Sequence, residues 1–435
     1  MGRTAFWFGN GLRVVVIAVA VGCLGADRPG SRCLGDDIGG NTWTQWRGPT
    51  RDGRAADRPV WPDDLKGLKE VWRVKLSPSY SGPIVSADRI FVTETRREKE
   101  EVVRAFDRAT GKQIWSARWD GAMKVPFFAR ENGDWIRSTP AFDGETLYVA
   151  GMRDVLVALS VADGREIWRV NFPEFYKAPL PDFGFVSSPL VIGEFVYVQA
   201  GGGFVKLNKH TGEPVWRVLV DGGGMYGSAF SSPVPAHLHG REQILVQTRE
   251  KLCGVDPDSG KVLWSQVVPS FRGMNILTPT VYADGVFTST HKNKSFFYAT
   301  KQGEGDSVVL SELWTNKAQG YMSSPIVRGD HVYLHLGNGR LCCIDLRTGE
   351  QRWRSKSFGK YWSMAAQDDK VLALDERGEL ILWLANPAEF KLLDRRKVAD
   401  ADSWAHVAVC GGQVVVRDLR GLSVFDWSAA TKSTP

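Results

Sequence analysis

The chain has no long run of lysine and arginine, no apolar stretch long enough to cross a bilayer comfortably, and few of the motifs that mark an active site. Its 55 basic and 49 acidic residues leave a net charge of +6. Without a basic stripe to follow a phosphate backbone, a nucleic-acid partner is not expected. The seven histidines form no His-Glu-x-x-His arrangement and no Cys-x-x-Cys is present, which removes the common zinc signatures. No Gly-x-Ser-x-Gly elbow is present, and GGGF at 201–204 lacks the strand-to-helix setting of a phosphate cradle. Metal hydrolysis and serine catalysis therefore find no support.

Cysteine is also scarce. The apolar run at 14–20, preceded by a start that Arg3 and Arg13 flank, is too short to span a bilayer comfortably and reads as an export signal over residues 1–26. Cleavage follows Ala26 or precedes Cys23, since AVGC at 20–23 resembles the lipobox of bacterial lipoproteins with Ala20 where that motif has Leu. The mature chain is expected in the periplasm or cell envelope, held to a membrane only if lipidated at Cys23. Five cysteines then remain, Cys33, Cys253, Cys342, Cys343 and Cys410, an odd and scattered set that makes no disulfide framework.

What the chain does have is glycine and tryptophan, 46 and 17 residues respectively, within an ordinary 43% of hydrophobic residues. That combination suits many tight turns and many aromatic packing anchors. The segments AFDRATGKQIW (105–115), ALSVADGREIW (158–168), KLNKHTGEPVW (206–216), GVDPDSGKVLW (254–264) and CIDLRTGEQRW (343–353) align without a gap. Each is a β-hairpin signature whose Gly supplies a positive φ and whose Asp, Ser or Thr can bond the turn backbone. Ahead of each lies another strand pair, opened by Ser/Thr-Pro in STPAFDGETLYVAG (138–151), SSPLVIGEFVYVQAG (187–201) and SSPIVRGDHVYLHLG (323–337).

Four strands per unit, recurring every 40–50 residues with Trp at 72, 115, 168, 216, 264, 314 and 353, have the spacing of propeller blades. Leu392 takes the Trp slot of the seventh unit. An eighth unit at 405–427 ends before its fourth strand, and EVWRVKL (70–76) has the right Trp but no blade of its own. The expectation is an all-β, eight-bladed propeller over 70–428, closed by an N-terminal strand that covers an otherwise open sheet edge. Residues 27–69 form an extension ahead of it, and 429–435 a tail.

These hairpins resemble the PQQ-like β-propeller family, whose blades carry an Ala-x-Asp-x-x-Thr-Gly pattern and a docking Trp in the fourth strand. The likeness covers 43–428, with Ser160 and Asn208 departing at the Asp position and the seventh blade lacking its Trp. WTQWRGPTRDG (43–53) resembles the opening of many exported members, where Trp46 and Arg47 would cap the propeller or pair in a cation–π contact. The resemblance spans quinoprotein alcohol dehydrogenases and non-enzymatic lipoprotein scaffolds of outer-membrane assembly. Fold does not choose between them.

The quinoproteins hold an adjacent-cysteine disulfide against the quinone. Here Cys342 and Cys343 sit inside a repeat strand, where neighbours point to opposite faces, so both are read as buried structural residues. Asp134, Asp182, Asp402 and Asn275 lie in loops but align with no Ca²⁺ or base motif of those enzymes.

The connections between blades are the non-repeating part. They are long at 121–137, 173–186 and 221–230, and shorter afterwards. Emerging together around the channel, they would gather Phe127, Phe128, Trp135, Phe183, Phe185, Tyr226, Phe230, Tyr321, Trp362 and Trp404, with Arg130, Arg137, Arg272 and Lys360, into an aromatic mouth. Plugging the channel is the plain alternative for these aromatics. The sequence favours a monomeric, non-catalytic propeller that binds a protein or peptide there and needs no cofactor. A PQQ- and Ca²⁺-dependent alcohol or sugar dehydrogenase and a carbohydrate-binding propeller are the alternatives.

Overall fold

The computed structural model describes residues 41–427 except Ser228 and 304–306, with the side chain of Tyr226 also outside the description. The export signal, Cys23, Cys33 and the tail lie outside the described residues. Eight four-stranded antiparallel sheets follow one another. Blade 1 runs from Ile84–Val85 to Gln113–Asp120, blade 2 from Ala141–Phe142 to Glu166–Asn171, and blade 3 from Leu190–Ile192 to Pro214–Val218. Blade 4 runs from Val234–Leu238 to Val262–Val267, and blade 5 from Thr280–Tyr282 to Val308–Asn316. Blade 6 spans Ile326–Arg328 to Gln351–Ser357, and blade 7 Trp362–Gln367 to Lys391–Lys397.

Blade 8 contributes Ala408–Cys410, Gln413–Asp418 and Gly421–Asp426, and takes its outer strand from the other end of the chain. Strand Lys69–Lys75 pairs antiparallel with Gly421–Asp426, Lys69 opposite Asp426 and Lys75 opposite Gly421. This is an eight-bladed β-propeller whose ring is closed by an N-terminal strand.

The hairpin motif joins one blade to the next. Trp72, Trp115, Trp168, Trp216 and Trp314 lie over Gly111, Gly164, Gly212, Gly260 and Gly349 of the following blade, so close that an added Cβ would sit 2.5–2.9 Å from the ring. Those glycines have φ of 71–76°, so backbone conformation and ring contact both demand glycine. Each indole N–H donates to a carbonyl of that same following blade, from Trp72 to Arg108 O at 2.9 Å through Trp314 to Leu346 O at 2.8 Å. Trp353 donates likewise to Asn386 O at 2.8 Å. Trp264 departs from the expected docking role: its N–H donates to Gln243 Oε1 within its own blade at 2.7 Å. Blade 5 lacks the Thr-Gly turn that Trp264 would cover.

The Ser/Thr-Pro lead-ins do the same job around the channel. Thr139 Oγ1 accepts the N–H of Gly82, Ser188 that of Thr139, Ser232 that of Ser188 and Ser324 that of Thr278, at 2.9–3.2 Å. Each hydroxyl satisfies a backbone donor from the preceding blade, and the proline after it brings no donor of its own to satisfy. Cys342 and Cys343 diverge as the strand alternation requires, one packing with Leu334 and Trp314, the other with Trp362 and Trp383. Both are fully buried free thiols pushed up to about 12 by burial.

Candidate functional site

The extension ahead of the propeller enters the channel. Trp43 exchanges backbone hydrogen bonds with Val85 of blade 1, Thr44 O accepts from Phe142 N of blade 2, and Ala55 N donates to Ala366 O of blade 7. Between these points the chain reverses through positive φ at Arg47, Gly48, Arg51 and Gly53. Trp43 covers Gly48 with an added Cβ only 3.1 Å from its ring, which accounts for the Trp and Gly of the motif together.

Arg47 and Arg51 are fully buried. Arg47 donates to Pro325 O of blade 6 and to Asp52 O, and Arg51 donates to Pro189 O and Ser188 O of blade 3 at 2.7 and 3.1 Å. Burial lowers them to about 10 and about 9, so both remain charged at neutral pH. The pairing of Trp46 with Arg47 is corrected: the guanidinium turns to backbone carbonyls across the ring, while Trp46 packs edge-on to His406 at 5.1 Å and donates to Thr278 Oγ1 at 3.1 Å. The motif is a plug pinned to opposite blades.

Above the plug lies a cavity of about 630 Å³ with Trp46 in its wall. The blade connections supply the rest of that wall because, in an up-and-down ring, each outer-to-inner link and each second-to-third turn emerges on the same face. Of the residues expected at the mouth, Phe128, Arg137, Phe183, Phe230, Arg272, Tyr321 and Trp404 line the cavity. The aromatic ones belong to two chains of neighbouring rings. Phe127, Phe128, Phe183 and Phe230 touch in succession with centroids 5.6, 6.3 and 5.4 Å apart, and Arg249 covers Phe230 at 4.5 Å. Opposite, Tyr321, Tyr361, Trp404, Tyr80 and Trp135 form a second chain with spacings of 5.8, 4.2, 4.6 and 5.2 Å.

Several expected mouth residues stand elsewhere. Phe127 does not line the cavity but stands 80% exposed at its rim, on the 3₁₀ turn Phe127–Asn132 and edge-on to Phe128, and Trp135 packs behind Tyr80. Phe185 is buried against Phe172 under the short helix Phe172–Tyr176. Trp362 is buried at the start of its strand, stacked on His335 at 4.8 Å, because its connection is too short to carry the ring outward. Arg130 is exposed on that same 3₁₀ turn, and Lys360 sits over Tyr361 at 5.1 Å. Tyr80, Met225, Arg249, Phe271, Met274 and Met322 also line the cavity and were not foreseen. Arg249 sits on a second-to-third turn, a class of turn that repeats and so draws no notice in an alignment.

The fold and this mouth together define a PQQ-like β-propeller with a plugged channel and an aromatic, cationic upper face. The family model described as outer membrane protein assembly factor BamB matches residues 98–355, more than half of the chain, and the chain belongs to that family. It is 21% identical to the outer membrane protein assembly factor BamB of Yersinia pestis, over 86% of this chain and 79% of that protein. It is 25% identical to that of Escherichia coli K12, over 58% and 67%. The BamB structure from Moraxella catarrhalis superposes with a TM-score of 0.59 at 14% identity, covering 83% of this chain and 98% of that one. The quinohemoprotein alcohol dehydrogenase of Comamonas testosteroni superposes at 0.63, also at 14% identity, covering 92% and 83%. The structural likenesses speak for the fold alone.

A quinone held with Ca²⁺ needs oxygen ligands for the ion and a carboxylate base beside the cofactor. The cavity wall carries three arginines and neither Asp nor Glu. Asn275 is turned away, its amide donating to Arg249 O and Val268 O at 3.0 Å, and the adjacent cysteines are interior to blade 6. Among the described residues no group of three or more His, Cys, Asp and Glu is placed to hold a metal ion. The residues present do not fit the quinone and its calcium.

Proposed function

We propose that this chain is an exported, non-catalytic propeller of the cell envelope that binds a protein partner through its aromatic mouth, as a factor in outer-membrane protein assembly. The observation that carries this is the cavity itself: apolar and aromatic walls with Trp46 of the plug among them, three guanidiniums, and no carboxylate to ligate a cation or act as a base. Aromatic side chains and Arg dominate the binding energy of many protein interfaces. Phe127, Phe128 and Phe271 stand 80, 51 and 41% exposed, which is costly unless something covers them. The assembly-factor names of the relatives favour the same reading.

The test is site-specific photocrosslinking in intact envelopes from Phe127, Phe128 and Phe271, with Glu145 and Asp163 on the opposite, turn-bearing face as controls. Discrete protein adducts from the three mouth positions alone are expected. Adducts from the turn face alone would contradict the proposal.

A further inference from the structure

We propose that the mouth cavity selects an acidic peptide segment, seating a carboxylate on the channel floor while flanking apolar side chains fill the aromatic collar. This rests on the protein-binding reading above and names the chemistry of the partner's contact.

Two independent observations carry it. The first is charge. Arg137, Arg249 and Arg272 line the cavity with no acidic side chain among them. Arg272 is exposed; its carbonyl oxygen accepts from Arg249 at 2.7 Å, while its guanidinium makes no hydrogen bond or ion pair with the described residues and rests 5.1 Å from the ring of Phe271. Arg137 donates to Trp135 O and Gly133 O at 3.2 and 2.9 Å, which uses two of its five N–H donors. A carboxylate is the group that such forks recognise best.

The second is unused donors. Ser188, Ser232 and Ser324 line the same cavity and are 3, 4 and 9% exposed. Each oxygen accepts a backbone N–H from the preceding blade, and no described residue accepts from their O–H groups. A hydroxyl that already accepts has one proton left to give. Three buried hydroxyl donors in one cavity lining call for acceptors, and an anionic group supplies them. The apolar collar of Phe128, Phe183, Phe230, Met225, Met274 and Met322 then requires that the anion be carried on an apolar body. The cavity of about 630 Å³ is larger than one acidic side chain needs and admits its neighbours too.

The experiment titrates the mature full-length protein with two blocked tripeptides, acetyl-Phe-Glu-Leu-amide and acetyl-Phe-Gln-Leu-amide, by calorimetry and by intrinsic tryptophan fluorescence, to which Trp46 and Trp404 of the cavity wall contribute. The Glu peptide is expected to bind about tenfold tighter, the discrimination of roughly one charge-assisted hydrogen bond set. Arg272→Gln is expected to remove several-fold of that preference and leave the Gln peptide unchanged; its exposure makes folding failure no explanation. Equal affinity of the two peptides, or equal loss of both in Arg272→Gln, would overturn the carboxylate assignment. If 3-phenylpropionate bound as tightly as the Glu peptide, the pocket would serve a free carboxylic acid and the peptide assignment would fall. Binding of neither peptide, with crosslinks from Phe128 persisting, would sink this inference and spare the protein-binding reading. Crosslinks absent with the Glu peptide still bound would do the reverse.

Discussion

The two faces of the ring are built from one repeat and to opposite ends. On the turn face every connection is short, and in five places a tryptophan lies over the next blade's glycine with an added Cβ excluded. On the loop face the connections differ in length and sequence from blade to blade, and their aromatics meet each other across blades instead of repeating a fixed contact. Regularity on one face holds the ring. Irregularity on the other is affordable because the ring is already held, and it is where a single partner can be recognised.

The sharpest way to break this division is at the plug, which serves both faces. Arg51→Ala removes buried hydrogen bonds to Pro189 O and Ser188 O and leaves a cavity in the channel. It is expected to cost about 3–5 kcal/mol in urea unfolding. On the turn face, Gly164→Ala places a Cβ 2.5 Å from Trp115 at a φ of 76°, with an expected cost of about 2–3 kcal/mol. Gly193→Ala, at φ 55° with nothing within 4 Å, is expected to cost only about 1 kcal/mol, so the difference isolates the tryptophan dock. On the loop face, Phe127→Ala is expected to move the unfolding midpoint by less than about 0.5 kcal/mol and to cut crosslinking yield from neighbouring mouth positions severalfold. Were Phe127→Ala as damaging to stability as Gly164→Ala, the division of labour would fail.

Acid sharpens the comparison further. His335, stacked on Trp362, and His406, stacked beneath Trp43, are lowered by burial to about 4 and about 3. The folded state keeps both neutral while the unfolded chain takes up protons below about 6.5. Their contribution is full above that pH and is lost as pH falls from about 6.5 towards 4. His335→Phe is expected to flatten this acid limb, measured as unfolding midpoint against pH. Glu101 and Asp154 act the other way: burial raises both to about 7, so their contribution is present in acid and fades as pH rises through 7. The smallest effect expected is none: Ca²⁺ added with PQQ leaves Trp fluorescence as PQQ alone leaves it, since the wall offers the ion no carboxylate.

The ring was legible because its determinants repeat. Five aligned hairpins, the Ser/Thr-Pro lead-ins and an orphan strand with a tryptophan at 72 led to eight blades and their closure, and the reason is geometric: each motif residue meets its partner one blade away, in the same place each time. Trp264 was misread because its partner turn is missing from blade 5, a property of the neighbour. The mouth was legible only as a set of loops. Phe185 and Trp362 could not be told from Phe183 and Trp404 by spacing, since whether a loop aromatic faces the channel or the blade interior depends on where the backbone turns. The reach of Arg47 and Arg51 across the channel was hidden for the same reason: their acceptors are main-chain carbonyls, which leave no trace in side-chain identity.

The most direct measurement of the central claim is hydrogen exchange of the full-length protein with and without the partner identified by crosslinking. Protection concentrated in residues 121–137, 173–186 and 270–277, with the turns at 107–112 and 160–165 unchanged, is the predicted result. Protection of those turns with the mouth loops unchanged would contradict it.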